Sequence, residues 1–581
     1  MPEPKDDQFL QRRLLIASVL SAVALTVYVY LAPRPQPKAP AEGQTSGQTA
    51  PSEQSAETPP TEAPAAPPSS PVTPDQPAAA APAGIAAESE QSITIETDTF
   101  AIVFSNRGAV VTSWTLKHYD DAKGERLDLV YGPAAEKNGF PFALARLGGD
   151  PIASVNEALF VSHREPQGNS LPATLVFEYS DATHTARKSF RFEKDGYLLG
   201  VETELTENGR PQEHLITWNS AFGDTDQLQD YQHSTIFYYD PVEGKLIRNK
   251  AADAHEARIV NRGPFPFAGI DDLFFTAAFL PARPEAPVTL ESSAVEITKT
   301  EGATPEVFAA IGVSSDGEGK NNLQVFVGPK SVDILRSVRP ELGQIVDFGF
   351  FSFMAEPLFW MLRWTHEHVV ANWGWSIVAL TVFINFVLFP LKWKSMKSMK
   401  KMQSLQPLVK RINEKYKGLS MRDPKKAQQN EELMGLYKKH GVNPMGGCLP
   451  MVLQLPFFIG FYNVLFVAIE MRHASWLWVS DLSTFESLPI RVLPLAMVAT
   501  QFWQQSMTPT PSTDAAQMRL MKFMPLMMGF IFYSFSAGLV LFWLTSNVVG
   551  VAQQLILNRF ASDEPVLDDK SRSRKKKAKS S

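Results

Sequence analysis

The rhythm of hydrophobic and polar positions divides this chain into zones. Leu14 to Ala32 is a 19-residue run without a charge, preceded by Arg12 and Arg13. Pro33 to about Gln91 is rich in Pro, Ala, Ser, Thr and Glu and carries no apolar period. From Ser92 the period is two: Ile93 and Ile95 alternate, then Phe100, Ile102 and Phe104. Phe190 and Phe192 alternate before Asp195-Gly196, and Val201, Thr203 and Leu205 follow it. Alternation on both sides of Asp-Gly predicts an antiparallel hairpin. Strand patterns recur to about Val327, which predicts one large all-β sandwich.

From Pro340 the period turns helical. Phe350, Phe351, Phe353, Leu358, Phe359, Trp360 and Trp364 alternate with Glu356, Arg363 and Glu367, as in a helix lying in a membrane interface. A span follows at 374–391. Met396, Met399, Met402, Leu405, Ile412 and Tyr416 then recur at helical spacing among lysines, and a second helical run covers Lys425 to His440. These predict an antiparallel helical hairpin whose Met/Leu stripe is chiefly its own seam. Such a stripe, with Met396, Met399, Met402, Lys400 and Lys401, is also an adaptable docking surface for apolar segments.

Asn443 to Phe466, NPMGGCLPMVLQLPFFIGFYNVLF, is apolar over a membrane-spanning length, yet it holds Gly446, Gly447, Pro450, Pro456, Gly460 and Gln454. Membrane helices tolerate such breakers. A buried amide in hydrocarbon needs a partner or a wet cavity, so Gln454 is expected to face one. The final apolar stretch, Met521 to Leu557, is too long for one ordinary span. Dividing it at Ser536-Ala537-Gly538 gives six spans in total.

Charge sets the orientation. Residues 392–447 carry 14 Lys/Arg against 4 Asp/Glu, and the last 12 residues carry 7 basic residues and no acid. Basic segments beside spans mark the cytoplasmic side. The predicted order is a cytoplasmic N-terminus (1–13), a retained anchor span (14–32) and a disordered periplasmic linker (33–91). The periplasmic β domain (92–340), the interfacial helix (341–370) and the second span (374–391) come next. The cytoplasmic hairpin (392–447) leads to the third span (448–468), a periplasmic loop (469–488), the fourth span (489–506) and a cytoplasmic loop (507–520). Spans at 521–536 and 539–557 and a basic cytoplasmic tail (558–581) complete it.

Candidate chemistry is sparse. The single cysteine, Cys448, excludes an intrachain disulfide and reads as a packing residue. His366-Glu367-His368 lacks the second zinc-ligand histidine, because position 370 is Val370. His118, His163, His184 and His233 are scattered and read as ordinary surface or packed residues. No phosphate-cradling loop or catalytic triad is present. No cofactor, metal or DNA partner is expected. The later spans hold no central Asp or Glu relay. They hold instead Thr381, Asn385, Gln454, Asn463, Thr545, Ser546, Asn547, Gln553 and Gln554. One such amide more often makes an interhelical hydrogen bond than a site; their number favours a polar path through the membrane. The alternatives are a small-solute transporter and a membrane-anchored enzyme of envelope carbohydrate.

Three stretches resemble the YidC/Oxa1/Alb3 family. Asn443–Phe466 resembles its third span. FMPLMMGFIFYSFSAGLVLFWLTSNVVGVAQQLILNR, Phe523 to Arg559, resembles its last two spans. VGPKSVDILRSVRPELGQIVDFG, Val327 to Gly349, resembles the end of its Gram-negative periplasmic domain. The resemblance implies a six-span inner-membrane insertase with a periplasmic β-supersandwich similar to sugar mutarotases. It implies a cytoplasm-open groove for nascent membrane proteins, worked without nucleotide, alone or with the Sec translocon. Thr381, Gln454, Phe458 and Trp543 fall at or near family groove positions, and Asn385 and Asn547 are taken as groove residues with them. The family usually places arginine where this chain has Asn385; either charge attraction is dispensable here, or a lysine such as Lys392 or Lys394 reaches up from the groove mouth. Lys575, Lys576 and Lys577 would meet ribosomal RNA or anionic lipid, or simply be solvated.

Overall fold

The structure is a computed structural model that describes residues 84–168, 170–225, 234–283, 285–298, 305–315, 317–418, 423–442, 449–507 and 515–560. The anchor span, the linker up to residue 83, His233, Cys448 and the basic tail with Lys575, Lys576 and Lys577 lie outside these residues.

The period-two zone forms antiparallel sheets of four, ten and five strands among the described residues. Ser92–Glu96 pairs with Phe100–Ser105, where Phe100, Ile102 and Phe104 all point into the core. His184–Phe192 pairs with Leu198–Glu207 across the Asp195-Gly196 turn, with Phe192 opposite Leu199. Gly196 takes φ +91° there, a left-handed geometry that glycine adopts without a Cβ penalty. The three sheets meet around Trp114, Phe142, Phe190 and Trp218. Trp114 lies 6.2 Å from Trp218, and Phe142 meets Phe190 edge-on at 5.5 Å. Tilted and edge-on ring pairs add about 0.5–1.5 kcal/mol each beyond their burial.

Lys188 occupies an inward position of the same strand and is fully buried. Its ammonium donates to the carbonyls of Gly108 (2.6 Å) and Phe142 (2.7 Å), and to that of Ala109 (3.3 Å). Burial lowers it to about 7, because the charged form is the one desolvation penalises.

The helical part begins with α1 (Ser352–His368) and α2 (Trp373–Val387), which meet at 120°. The Asn372 side chain caps α2 by accepting from the Trp375 N–H. Helices α3 (Phe389–Ser404) and α4 (Gln406–Lys415) break at Leu405, where one continuous helix was expected. Pro407, with no N–H to give, starts the new helix. After α5 (Lys425–Lys439) come α6 (Leu449–Val467), α7 (Val492–Met507), α8 (Ala515–Phe532) and α9 (Ala537–Phe560). The turn between α8 and α9 falls at the Ser536-Ala537-Gly538 breakpoint. The carbonyls of Thr484 and Leu482 accept from the N–H groups of Ala537 and Gly538, satisfying donors that a helix start leaves unpaired.

Among the described residues, only Ala537–Arg559 is by itself long and apolar enough to cross a membrane; α1 and α2 pass that test together as a bent pair. Gln454–Val467 and Lys522–Phe532 are shorter apolar stretches.

Residues 411–435 belong to a separate compact unit. Within it Lys415 and Tyr416 both donate to Glu432, and Gln429 donates to Asn413.

Polar contacts tie the β domain to the helical part. Arg472, in the loop after α6, donates to the Asp224 carboxylate and the Asp120 carbonyl. Its guanidinium lies over the Phe275 ring. Arg248 bridges the buried Asp271 carboxylate to the Ile345 carbonyl, just before α1. The Asn463 amide on α6 donates to the Phe348 carbonyl at 2.6 Å.

Candidate functional site

Thr381 and Asn385 stand one turn apart on α2 and are both fully buried. The Thr381 hydroxyl donates to the Ile377 carbonyl of its own helix, at 2.6 Å. Asn385 does more. Its NH2 donates to the Thr381 carbonyl (2.8 Å) and reaches Ser546 Oγ on α9 at 3.5 Å. Its side-chain oxygen accepts from Lys392 Nζ at 2.7 Å. Its backbone carbonyl accepts from the Gln553 amide of α9 at 3.0 Å. Ser546 and Gln553, seven residues apart, share one face of α9. One ammonium, two amides and a hydroxyl therefore converge in a seam between otherwise apolar helices.

The neighbouring face of α9 looks to α7. Trp543 Nε1 donates to Gln501 at 3.0 Å. The Asn547 amide reaches the Met497 carbonyl at 3.3 Å and the Thr500 hydroxyl at 3.4 Å. Asn547 thus sits in the α7–α9 seam rather than beside Asn385. Gln554 reaches the Met507 carbonyl from the same side.

Phe458 of α6 meets Trp543 edge-on at 4.9 Å, and Phe532 of α8 lies 4.9 Å from the same indole. Three helices so build one aromatic wall. Gln454 stands one turn before Phe458. Its side-chain oxygen is buried and accepts no hydrogen bond from any described residue. Such a group costs about 1–3 kcal/mol unless something else satisfies it. Gly460, one of the breakers of this stretch, has a packing use. A Cβ there would meet Met354 Cγ at 3.1 Å and Leu358 Cδ1 at 3.3 Å, so glycine is what lets α6 lie against α1.

The methionine stripe divides. Met402 packs with Leu405 and Val442, and Leu408 and Tyr437 lie against them. Met399 is also buried, Met396 and Lys400 are half-buried, and Lys401 is exposed. The histidines of α1 are spoken for: His366 stacks on Trp373 at 3.9 Å, and His368 on Trp364 at 5.4 Å. Gln501 and Arg472 escaped the sequence reading. Gln501 sits at the end of an apolar run like many solvated glutamines, and the partners of Arg472 are remote in sequence.

Two family models cover the described chain nearly end to end. "YidC periplasmic domain" matches residues 92–361, and "60Kd inner membrane protein" matches residues 364–564. The membrane protein insertase YidC of Maridesulfovibrio salexigens is 30% identical over 94% of this chain and 99% of its own length. The chain belongs to the YidC family of membrane protein insertases. The YidC of Wolinella succinogenes is more similar, at 41% identity, over 50% of this chain; the chain spans 51% of that relative's length. A solved structure, "Active YidC insertase crystal structure with the first transmembrane domain resolved", is 18% identical, covers 82% of this chain and 94% of that one, and gives a TM-score of 0.34. Members of this family are inner-membrane proteins with a periplasmic β-rich domain ahead of a helical C-terminal part.

Proposed function

We propose that this chain inserts inner-membrane proteins by lowering the cost of carrying a polar flank across hydrocarbon. One charged group at the bilayer centre costs about 2.5–3.5 kcal/mol, and unpaired backbone groups cost several more. The observation that supports this reading is the seam of Asn385, Lys392, Ser546 and Gln553 beside the aromatic wall of Phe458, Phe532 and Trp543. The half-buried Lys392 and Ser546 offer donors to the flank, and the buried Asn385 and Gln553 brace them. The wall offers the apolar segment a surface to slide along into lipid, driven by its own burial. No nucleotide enters the cycle, and the chain acts by binding and transfer, not by catalysis.

In this scheme six spans cross the membrane, both termini are cytoplasmic and the β domain is periplasmic. Thr381, Asn385, Gln454, Phe458, Trp543 and Asn547 line or brace the path. Met396, Met399, Met402, Lys400 and Lys401 receive the nascent segment. The Sec translocon, the ribosome and membrane lipids are the further partners, with Lys575, Lys576 and Lys577 meeting ribosomal RNA or anionic headgroups.

The test is a photo-crosslinking residue in place of Gln454, Phe458 or Phe386, read against ribosome-bound nascent chains carrying one span. Phe386 is 74% exposed on the outer side of α2. Crosslinks concentrated at Gln454 and Phe458 are expected. Equal labelling at all three positions would remove the path.

A further inference from the structure

Where α1 and α2 fold back on each other they leave a groove of about 730 Å³, within the ~300–1,000 Å³ span of small-molecule sites. Leu380 forms its buried floor. Trp360, Met361 and Trp364 line the α1 side, and Ala379 and Phe383 the α2 side. Trp364 and Phe383 are each more than half exposed. The lining is not wholly apolar, because Arg363, Glu367 and Asp333 belong to it as well. Arg363 donates to Glu367 at 2.8 Å and pairs with Asp333. The Arg363 hydrogen bond holds the Glu367 carboxyl below its usual range. One guanidinium thus faces two carboxylates.

Depth fixes the surroundings. Beyond Phe383 the same helix presents Phe386 and Val387, both well exposed and apolar, as a surface facing hydrocarbon does. On the other side α1 carries the charges of an interfacial helix. With α2 as a span and α1 in the interface, the arrangement on which the proposed function rests, the groove sits where hydrocarbon gives way to headgroups.

We propose that this groove is a lipid site that holds an acyl chain of a zwitterionic, amine-bearing phospholipid. The chain lies along Met361, Leu380 and Phe383, the phosphate faces Arg363, and the ammonium faces Asp333 and Glu367. Charge complementarity selects the occupant. An anionic lipid offers nothing to the second carboxylate and is repelled by it, whereas a zwitterion answers both signs.

The test is native mass spectrometry of the full chain released from detergent micelles, with phosphatidylethanolamine or phosphatidylglycerol of identical acyl chains added. One phosphatidylethanolamine is expected to stay bound, with phosphatidylglycerol retained roughly tenfold less, a preference of about 1.4 kcal/mol. Ala379→Trp, which fills the groove from α2, should lose the lipid. Met361→Trp fills it from α1 and serves the same purpose if Ala379→Trp does not fold. Phe386→Trp, on the hydrocarbon face outside the groove, should retain the lipid. Glu367→Gln should narrow the preference between the two headgroups. Equal retention of both lipids would overturn the headgroup assignment. Undiminished retention in both groove-filling variants would overturn the site and leave it to detergent or to an apolar partner helix.

Discussion

The ammonium of Lys392 reaches back seven residues across the end of α2 and donates to the side-chain oxygen of Asn385 at 2.7 Å. The family resemblance implies arginine at the position of Asn385, and an amide alone carries no charge. Lys392 brings one to the same place. If that charge draws acidic flanks into the seam, Lys392→Met should reduce insertion of a client with an acidic translocated loop by roughly tenfold, the equivalent of a charged hydrogen bond of ~1.5 kcal/mol. A client with a neutral loop should be nearly indifferent. Asn385→Arg in the Lys392→Met background should restore the acidic client. Protease protection of the loop reads all three, and an unaffected Lys392→Met variant would show that the seam works without charge.

Arg472 and Asp224 form a buried pair between the loop after α6 and the β domain, both under 10% exposed. Removing one member of such a pair leaves an uncompensated charge and costs about 3–5 kcal/mol. Arg472→Met should therefore lower the urea midpoint of the whole chain and open the 469–488 loop to protease. Arg472 Nε and Asp224 Oδ1 accept or donate nothing among the described residues, so the pair is incompletely satisfied. An apolar replacement of both, Arg472→Met with Asp224→Leu, should recover much of the loss. A double variant as weak as the single one contradicts this.

Lys188 makes the stability of the β domain depend on pH. Burial lowers it from 10.5 to about 7 in the folded chain. Between those values the unfolded chain holds a proton that the folded chain has given up, so stability from this group rises with pH. Below about 7 both states are protonated and the burial penalty is felt in full. The urea midpoint of wild type relative to Lys188→Met should rise as the pH goes from about 7 towards 10.5, the window that the shift defines. A constant difference across that range would mean that Lys188 keeps its proton.

Gly460 lets α6 rest on α1, and a larger residue must push Met354 and Leu358 aside. Overpacking of this kind costs about 1–3 kcal/mol. Gly460→Leu should lower thermal stability by that amount, and Gly460→Ala by less. A stable Gly460→Leu would show that the two helices separate freely.

How much of this was legible in the sequence depends on the range of the interaction. The strand of Phe100, Ile102 and Phe104 and the Asp195-Gly196 hairpin follow from local alternation and turn chemistry. The turn before α9 follows from Ser536 to Gly538, whereas the helical spacing of Met396 to Tyr416 hid the break after α3 at Leu405. Lys188 was legible only as a charge on the inward phase of its strand, because the carbonyls it meets lie 46 and more residues away. Arg472 finds Asp224 across 248 residues, which no local pattern encodes. At the seam, sequence offered Lys392 or Lys394 as a charge for Asn385, or no charge at all, and only the packing brings Lys392 to it. Nor could sequence assign Asn547 to the α7 side of α9, since Ser546 and Asn547 are neighbours and the packing alone separates their faces.

The central claim is tested most directly by reconstitution. The purified chain in liposomes would be given a two-span client with an acidic translocated loop, with nucleotide omitted, and protection of that loop from added protease would be measured. Protection that requires the chain, and that falls with Lys392→Met, is the expected result. No protection of a client that inserts in native membranes, or protection only when nucleotide is supplied, would contradict the account.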